Sequence, residues 1–327
     1  MNPASRRRAP AARTTERLDA VIVGAGAAGI SAALWLRDFG LDAVLVEEEA
    51  RPGGQLHEIH AAVPNYLVAY GWDGARLAGA VLADARAAAL PILVGSGVAR
   101  LSVRGRWVER GADEAGEATR LHARSLIVAT GLRRRVLRVA GESDLQGRGV
   151  SHSANRDRVR FEGKPVVVVG GGTAAIEDAI LCADAGSNVT LLHRSSTFRA
   201  RRDFLEQARA NPRVEIVERA AVTRILGEDA VSGVEYRVRG SRTVRRAEAA
   251  GVFIRIGWEP RSELVRRQVR CDAAGYVRVT ATGATSVPWV FAAGDVCSPR
   301  CPSIANAVGQ GASVAWEIGR RLGRVRG

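Results

Sequence analysis

Lysine is almost missing from this sequence. Lys164 is the only one, yet Lys and Arg together number 48 against 34 acidic residues, a formal net charge of +14. Arginine therefore carries nearly all the positive charge. Drift in base composition produces such a bias with no partner behind it. A basic surface also steers acidic partners, whether a phosphorylated cofactor, an acidic redox protein or a nucleic acid. No helix-turn-helix, zinc-finger or RNA-binding aromatic motif accompanies the charge, so nucleic acid is not an expected partner. Cysteine is scarce: Cys182, Cys271, Cys297 and Cys301 make no disulfide framework. They lack nearby histidines, so no metal site is expected. No apolar run approaches the ~18 residues of a membrane span, and no membrane is expected as a partner. Arg6-Arg7-Arg8 is followed by Pro10, Arg13, Thr14, Thr15, Glu16 and Arg17 rather than an apolar signal core. Residues 1–17 therefore read as a disordered tail on a cytoplasmic protein.

What is present is apolar content, 46% of 327 residues. At ~150 residues per domain the length predicts two domains, each with a sizeable core. Leu18 to Val23 reads as a strand. It leads into Gly24-Ala25-Gly26-Ala27-Ala28-Gly29, then an apolar helix from Ile30 to Phe39 that Gly40 stops. A second strand runs from Ala43 to Val46, with Glu47 and Glu48 at its end. This is a complete β-α-β dinucleotide unit. Gly24 permits a tight turn, Gly26 lets a pyrophosphate approach the backbone, and Gly29 lets helix and strand pack closely. The helix N-terminus offers free N–H groups and a positive dipole end. Glu47 is placed to accept hydrogen bonds from a ribose diol.

The pattern returns. Pro165 to Val169 is a strand, followed by Gly170-Gly171-Gly172-Thr173-Ala174-Ala175, a helix from Ile176 to Ala185, and a strand from Val189 to Leu192. Here the strand ends in His193-Arg194, with Arg199, Arg201 and Arg202 beyond. Arginine in this place favours NADPH over NADH, because guanidinium pairs with the 2′-phosphate. Two such units cannot both serve one nicotinamide. FAD in the first and NADPH in the second is the economical assignment.

Further motifs carry a family resemblance: Pro52-Gly53-Gly54-Gln55-Leu56, Ala129-Thr130-Gly131 and Gly294-Asp295-Val296. Over about residues 18 to 325 the chain resembles the low-molecular-weight thioredoxin reductase-like flavoproteins, of the class II pyridine nucleotide-disulfide oxidoreductase fold. Their relatives include thioredoxin reductase-like ferredoxin–NADP reductases. The resemblance implies an α/β fold with two Rossmann-like domains, the NADPH domain (134–256) inserted into a discontinuous FAD domain (18–133 and 257–327). It implies a homodimer and a hinge near Gly131 to Arg135 and Gly257. By position it assigns FAD to Gly24, Gly26, Ala27, Ala28, Gly29, Glu47, Gly54, Gln55, Asn65, Thr130, Gly131, Gly294, Asp295, Ser303 and Ile304. It assigns NADPH to Gly170, Gly172, Thr173, Ala174, Ala175, His193, Arg194 and Arg199.

The departure comes at the redox centre. The family carries Cys-x-x-Cys-Asp after Gly-Val-Ser; this chain reads Gly149-Val150-Ser151-His152-Ser153-Ala154-Asn155-Arg156-Asp157. Ser153 and Arg156 stand where the cysteines would be, and neither forms a disulfide. Asp157 keeps the place of the family's general acid, with a structural pairing to Arg156 or Arg158 as the other role open to it. His152 is either a proton donor to the flavin or a hydrogen-bonded loop residue. Cys297 and Cys301 offer a second dithiol, Cys301 close to the start of the last helix, which Pro302 is expected to open. Both also read as ordinary turn residues. Cys182 reads as core, Cys271 as inert. The electron acceptor stays open between a one-electron carrier of ferredoxin or flavodoxin type, a disulfide reached through Cys297 and Cys301, and a small molecule such as a quinone or oxygen. A flavin-binding protein without catalysis is a further alternative, disfavoured by the intact cofactor motifs.

Overall fold

The computed structural model describes residues 13–14, 17–112, 118–297 and 301–326. The chain divides into two compact units, residues 1–133 with 259–327, and residues 134–258.

In the first unit the strands Ala43–Val46, Leu18–Val23 and Thr119–Val128 lie side by side and parallel, with Val290–Ala292 added beyond the last. Both faces of this sheet are buried, which is why its strands read as unbroken apolar runs. Ile22, Leu45, Ile127 and Phe291 face a core shared with helices Ala27–Asp38 and Ile304–Arg321. Val21, Val46, Leu126 and Val290 face an opposite core that includes Val265 and Trp289. The first half of Thr119–Val128 also pairs antiparallel with Trp107–Arg110. The two helices approach closely through a glycine: a Cβ on Gly311 would lie 2.3 Å from the Ala28 carbonyl oxygen. Ser31 Oγ donates to Val308 O at 2.8 Å across the same seam. The C-terminal segment is thereby fixed beside the first glycine loop.

The second unit has a five-stranded parallel sheet in the order Val214–Glu218, Val189–His193, Val166–Gly170, Gly251–Arg255, Val150–Ser151. One face packs on helix Thr173–Asp184 through Val166, Val168, Leu191 and Phe253. The other packs on an antiparallel sheet of Ala220–Gly227, Val231–Val238 and Val244–Glu248 through Val167, Val169, Leu192 and Ile254. The segments Leu132–Arg134 and Trp258–Pro260, where the chain passes between units, form a two-stranded sheet of their own.

Both nucleotide helices begin earlier than their apolar runs suggest, at Ala27 and Thr173, because the small residues of the loops' second halves already form the first turn. Most of the expected disordered tail lies outside the described residues. Arg13–Thr14 are described, and they are paired: they run parallel to Thr119–Arg120 as an added edge. Among the described residues, no helix is long and apolar enough to cross a membrane.

Candidate functional site

The first glycine loop is shaped by three different constraints. Gly24 has φ +104°, and a Cβ there would sit 2.4 Å from Ala129 O. A Cβ on Gly29 would sit 2.0 Å from Gly24 O. Those two glycines are demanded by the protein itself. Gly26 is not: a Cβ there would meet nothing within 4 Å. It caps helix Ala27–Asp38 with no side-chain hydrogen bond. The result is an open cradle at a helix N-terminus whose N–H groups face outward, the geometry that suits a pyrophosphate.

Several of the other residues assigned to FAD are linked to this cradle. Buried Glu47 accepts from Ala25 N at 2.7 Å through Oε2 and from Glu49 N at 3.0 Å through Oε1. A carboxylate offers about four acceptor sites, so Glu47 keeps capacity for a ribose while the loop backbone fixes its direction. Gly53 N donates to Ala25 O at 2.9 Å, and the Cβ position of Gly54 is 3.4 Å from Gly26 Cα. Gln55 Nε2 donates to Asp295 Oδ2 at 3.2 Å and lies 3.1 Å from the Cβ position of Gly131. Burial pushes the Asp295 carboxyl up, and the Gln55 hydrogen bond offsets part of that. Gly294 meets Ala28, its Cβ position 3.0 Å from that methyl. Thr130 Oγ1 donates to Arg261 O at 2.6 Å, and Arg261 N donates back to Gly131 O at 3.0 Å. Asn65 is exposed.

The last helix opens two residues later than expected. Ser303 is its N-cap, accepting from Asn306 N at 3.2 Å, and the first helical residue is Ile304. Pro302 precedes the cap, and the Ser303 hydroxyl satisfies the orphan N–H of the third helical residue. One turn in, Asn306 Nδ2 is buried without a hydrogen-bond partner. Such an orphan is costly unless something satisfies it. A cofactor acceptor in this pocket would do so, and the open Gly26 cradle leaves the space, so these residues fit FAD. Asn306, Arg261 and Gln310, which accepts from Gly294 N at 2.7 Å, carry no sequence signal that separates them from ordinary polar residues.

The second loop repeats the plan. Gly170 has φ +156°, and its Cβ position is 2.3 Å from Arg255 O and 2.7 Å from the Ala175 methyl, so no side chain fits at this position. Gly172 is open, with nothing within 4 Å, and caps helix Thr173–Asp184 with no side chain. The basic loop is tied to this cradle by Arg199 N donating to Gly171 O at 2.9 Å and Arg201 N donating to Thr173 Oγ1 at 3.1 Å. His193 does not face outward. Its ring is buried against Gly171 and Phe198, with Nε2 3.0 Å from Thr197 O; it supports the loop. Arg201 and Arg202 pair with Asp203 and Glu206. Arg194 and Arg199 are exposed and make no ion pair among the described residues. These two side chains could hold a 2′-phosphate.

Residues 151–157 form a polar knot. Ser153 N donates to Ser151 Oγ at 3.1 Å, which donates to Asp157 Oδ2 at 2.6 Å. Arg156 grips the same carboxylate. Burial alone would raise the Asp157 carboxyl, but hydrogen bonds from Arg156 and Ser151 outweigh it and hold it below its ordinary value. Both carboxylate oxygens are taken by these donors, Oδ1 by Arg156 and Oδ2 by Arg156 and Ser151. Arg158 binds Ala154 O and Asn155 O instead. His152 lies with Nδ1 3.2 Å from Ile254 O, while its own carbonyl accepts from Arg255 Nη1 at 2.6 Å. Arg255 Nε also stands 3.2 Å from Asp178 Oδ2, and Asp178 accepts from Ala154 N. Burial pushes Asp178 up to about 6 in spite of Arg255.

The second dithiol is no better placed. Burial, with Asp295 adding to it, pushes the Cys297 thiol up to about 12, the opposite of an activated thiol. Cys301 is exposed, with Sγ 3.9 Å from Ser303 Oγ; the residues between the two cysteines lie outside those described. Cys182 is buried and pushed up to about 12 by burial, as a core thiol is.

The family profile described as pyridine nucleotide-disulphide oxidoreductase matches residues 18–311. An alkyl hydroperoxide reductase component of Pseudomonas putida is 33% identical over 317 residues, covering 95% of this chain and 59% of that protein. The chain thus spans less than two thirds of the length of that relative. Thioredoxin reductase of Streptomyces clavuligerus is 32% identical over 306 residues, covering 92% of this chain and 93% of that one. Among solved structures, Lactococcus lactis thioredoxin reductase aligns with a TM-score of 0.77 at 27% identity, covering 94% of this chain and 100% of that one.

Proposed function

This chain belongs to the pyridine nucleotide-disulphide oxidoreductase family, and from that premise we propose that it carries electrons from NADPH through FAD to a small one-electron carrier protein of ferredoxin or flavodoxin type. The cofactors are those of the family, FAD and NAD(P)H. The observation that carries the reading is the contrast between two open nucleotide cradles, at Gly26 and Gly172, and a dithiol segment rebuilt as an ion pair of Arg156 and Asp157. The enzyme keeps what loads electrons and has replaced what would pass them to a disulfide.

In this reading the Gly26 and Gly54 backbones, Glu47, Asp295 and Asn306 hold FAD. Gly172 and the helix beginning at Thr173 receive the NADPH pyrophosphate, and Arg194 and Arg199 clamp its 2′-phosphate. FAD held there would supply hydride acceptance and single-electron release, and the overall exchange would convert NADPH and two oxidised carriers to NADP+, a proton and two reduced carriers. The disulfide alternative is disfavoured by Cys297. Burial pushes its thiol up to about 12, away from the thiolate, which is the reacting form. A homodimer in the cytoplasm is part of the proposal, supported by the thioredoxin reductase relatives.

The test is NADPH-dependent turnover against ferredoxin, flavodoxin, thioredoxin, low-molecular-weight disulfides and quinones. Reduction of the one-electron carriers with no thioredoxin reduction is expected. Thioredoxin turnover that a Cys297→Ser/Cys301→Ser variant loses would overturn the reading in favour of the disulfide route. A protein that takes up no FAD would overturn it altogether.

A further inference from the structure

Residues 59–72 contain no Asp, Glu, Lys or Arg, in a chain where 25% of residues are charged. They form a loop pinned at its base. Val63 N donates to Trp72 O at 2.9 Å and Gly71 N to Val63 O at 2.8 Å. Within it Ala69 N donates to Tyr66 O and Trp72 N to Ala69 O. Ala69 is buried and plugs the loop onto the body. Its neighbours point the other way: Leu67 is 87% exposed, Val68 92% and Tyr70 79%. Val68 also has φ +71°. A β-branched residue is a poor occupant of that left-handed region, where glycine is at home. Neither backbone preference nor burial accounts for a valine there. An outlier of this kind points to a use outside the folded chain.

The loop stands beside the first cradle. Tyr66 and Trp72 pack on the cluster of Leu56, Val63 and Leu77, and so does Ile304, the first residue of the helix that carries Asn306. Whatever covers the tip therefore arrives next to the FAD site. The tip offers on the order of 500 Å² of apolar surface. A stable dimer needs about 800 Å² from each partner, whereas electron-transfer encounters bury under about 1,200 Å² in total. A loop seated on an anionic bilayer would ring its apolar tip with several basic side chains; residues 59–72 have no Lys or Arg, and Arg76 stacks on Trp72 at the loop's base rather than beside the tip residues. We propose that Leu67, Val68 and Tyr70 are the docking tip for the one-electron carrier protein, inserting into an apolar spot on that partner. This rests on the function proposed above.

The experiment uses the full-length, FAD-loaded protein and a Leu67→Ser/Val68→Gly/Tyr70→Ser variant, with ferricyanide, a [2Fe–2S] ferredoxin and a flavodoxin as acceptors. The expected result is a KM for ferredoxin or flavodoxin raised by about tenfold or more. Anaerobic flavin bleaching by NADPH and ferricyanide turnover should stay within about twofold of wild type. An unchanged KM overturns the inference, as does a wild type that reduces ferricyanide but neither protein. Slowed bleaching in the variant assigns the tip to the chain's own nucleotide unit instead. Conversion of a dimer to monomer assigns it to a second copy, and loss of co-sedimentation with phosphatidylglycerol vesicles assigns it to a bilayer; each overturns the inference. Val68→Gly alone relieves the backbone and should raise the protein-acceptor KM in a folded enzyme if the triple variant misfolds. A wild type that NADPH does not bleach, or that reduces neither carrier protein, refutes the proposed function itself, whereas a wild type that reduces them and a variant with unchanged KM refute the docking tip alone.

Discussion

Arg156 and Asp157 are neighbours in sequence and partners in space, with Nε 3.0 Å from Oδ1 and Nη2 2.8 Å from Oδ2. The carboxylate is 8% exposed and the guanidinium 50%. The pair fixes the short segment from Ser151 to Asp157, where Ser151 Oγ donates to the same carboxylate at 2.6 Å.

The pair is a stabilising element with a defined pH window. Asp157 is held below its ordinary value of 3.8, so its contribution is present above that value and is lost as pH falls through the lower, folded one. Because Arg156 is half exposed, screening limits the pair, and Arg156→Ala should cost about 1 kcal/mol at pH 7. Urea unfolding of both proteins at pH 7 and pH 3 checks this; the difference should shrink at the lower pH.

Two glycines of the first loop should respond in opposite ways. Gly29→Val drives a side chain into Gly24 O, 2.0 Å from the Cβ position, and should abolish folding. Gly26→Val enters open space, and the apoprotein should melt within about 1 °C of wild type. Its FAD affinity should fall by at least about tenfold, because the methyls occupy the pyrophosphate cradle. Thermal melts of apoprotein and a flavin fluorescence titration report the two effects separately.

Asn306→Leu should show a trade. Removing the unsatisfied Nδ2 donor is expected to stabilise the apoprotein by about 1 kcal/mol. The same change should weaken FAD binding by roughly tenfold, the loss of one hydrogen bond to the cofactor. Equal stability with equal affinity would show that the amide serves neither end.

For the nicotinamide cofactor, Arg194→Ala/Arg199→Ala should raise the KM for NADPH by about 10- to 100-fold through loss of charge-assisted hydrogen bonds to the 2′-phosphate. The KM for NADH should hardly move. Stopped-flow bleaching with each cofactor distinguishes this from a general loss of folding. Arg201 and Arg202 already pair with Asp203 and Glu206, so replacing them should have little effect on either cofactor.

Much of this protein was legible in its amino acids. Backbone conformation is local, so Gly24, Gly29 and Gly170 announce their turns and close contacts, and burial on both faces announces the two parallel sheets as continuous apolar runs. The scarcity of cysteine and the residues at 153 and 156 were plain as well. The sequence also determined that arginines follow the second unit's strand.

Which arginines are free was decided by tertiary structure, because ion pairing depends on which acids the fold brings near. The same holds for His193, drawn inward against Gly171, and for Cys297, whose thiol is suppressed by the atoms packed around it. Asn306 and the Leu67–Val68–Tyr70 tip depend on it most. Whether a donor is orphaned, or an apolar side chain is left in water, is a property of what surrounds it, and only the folded chain supplies the surroundings.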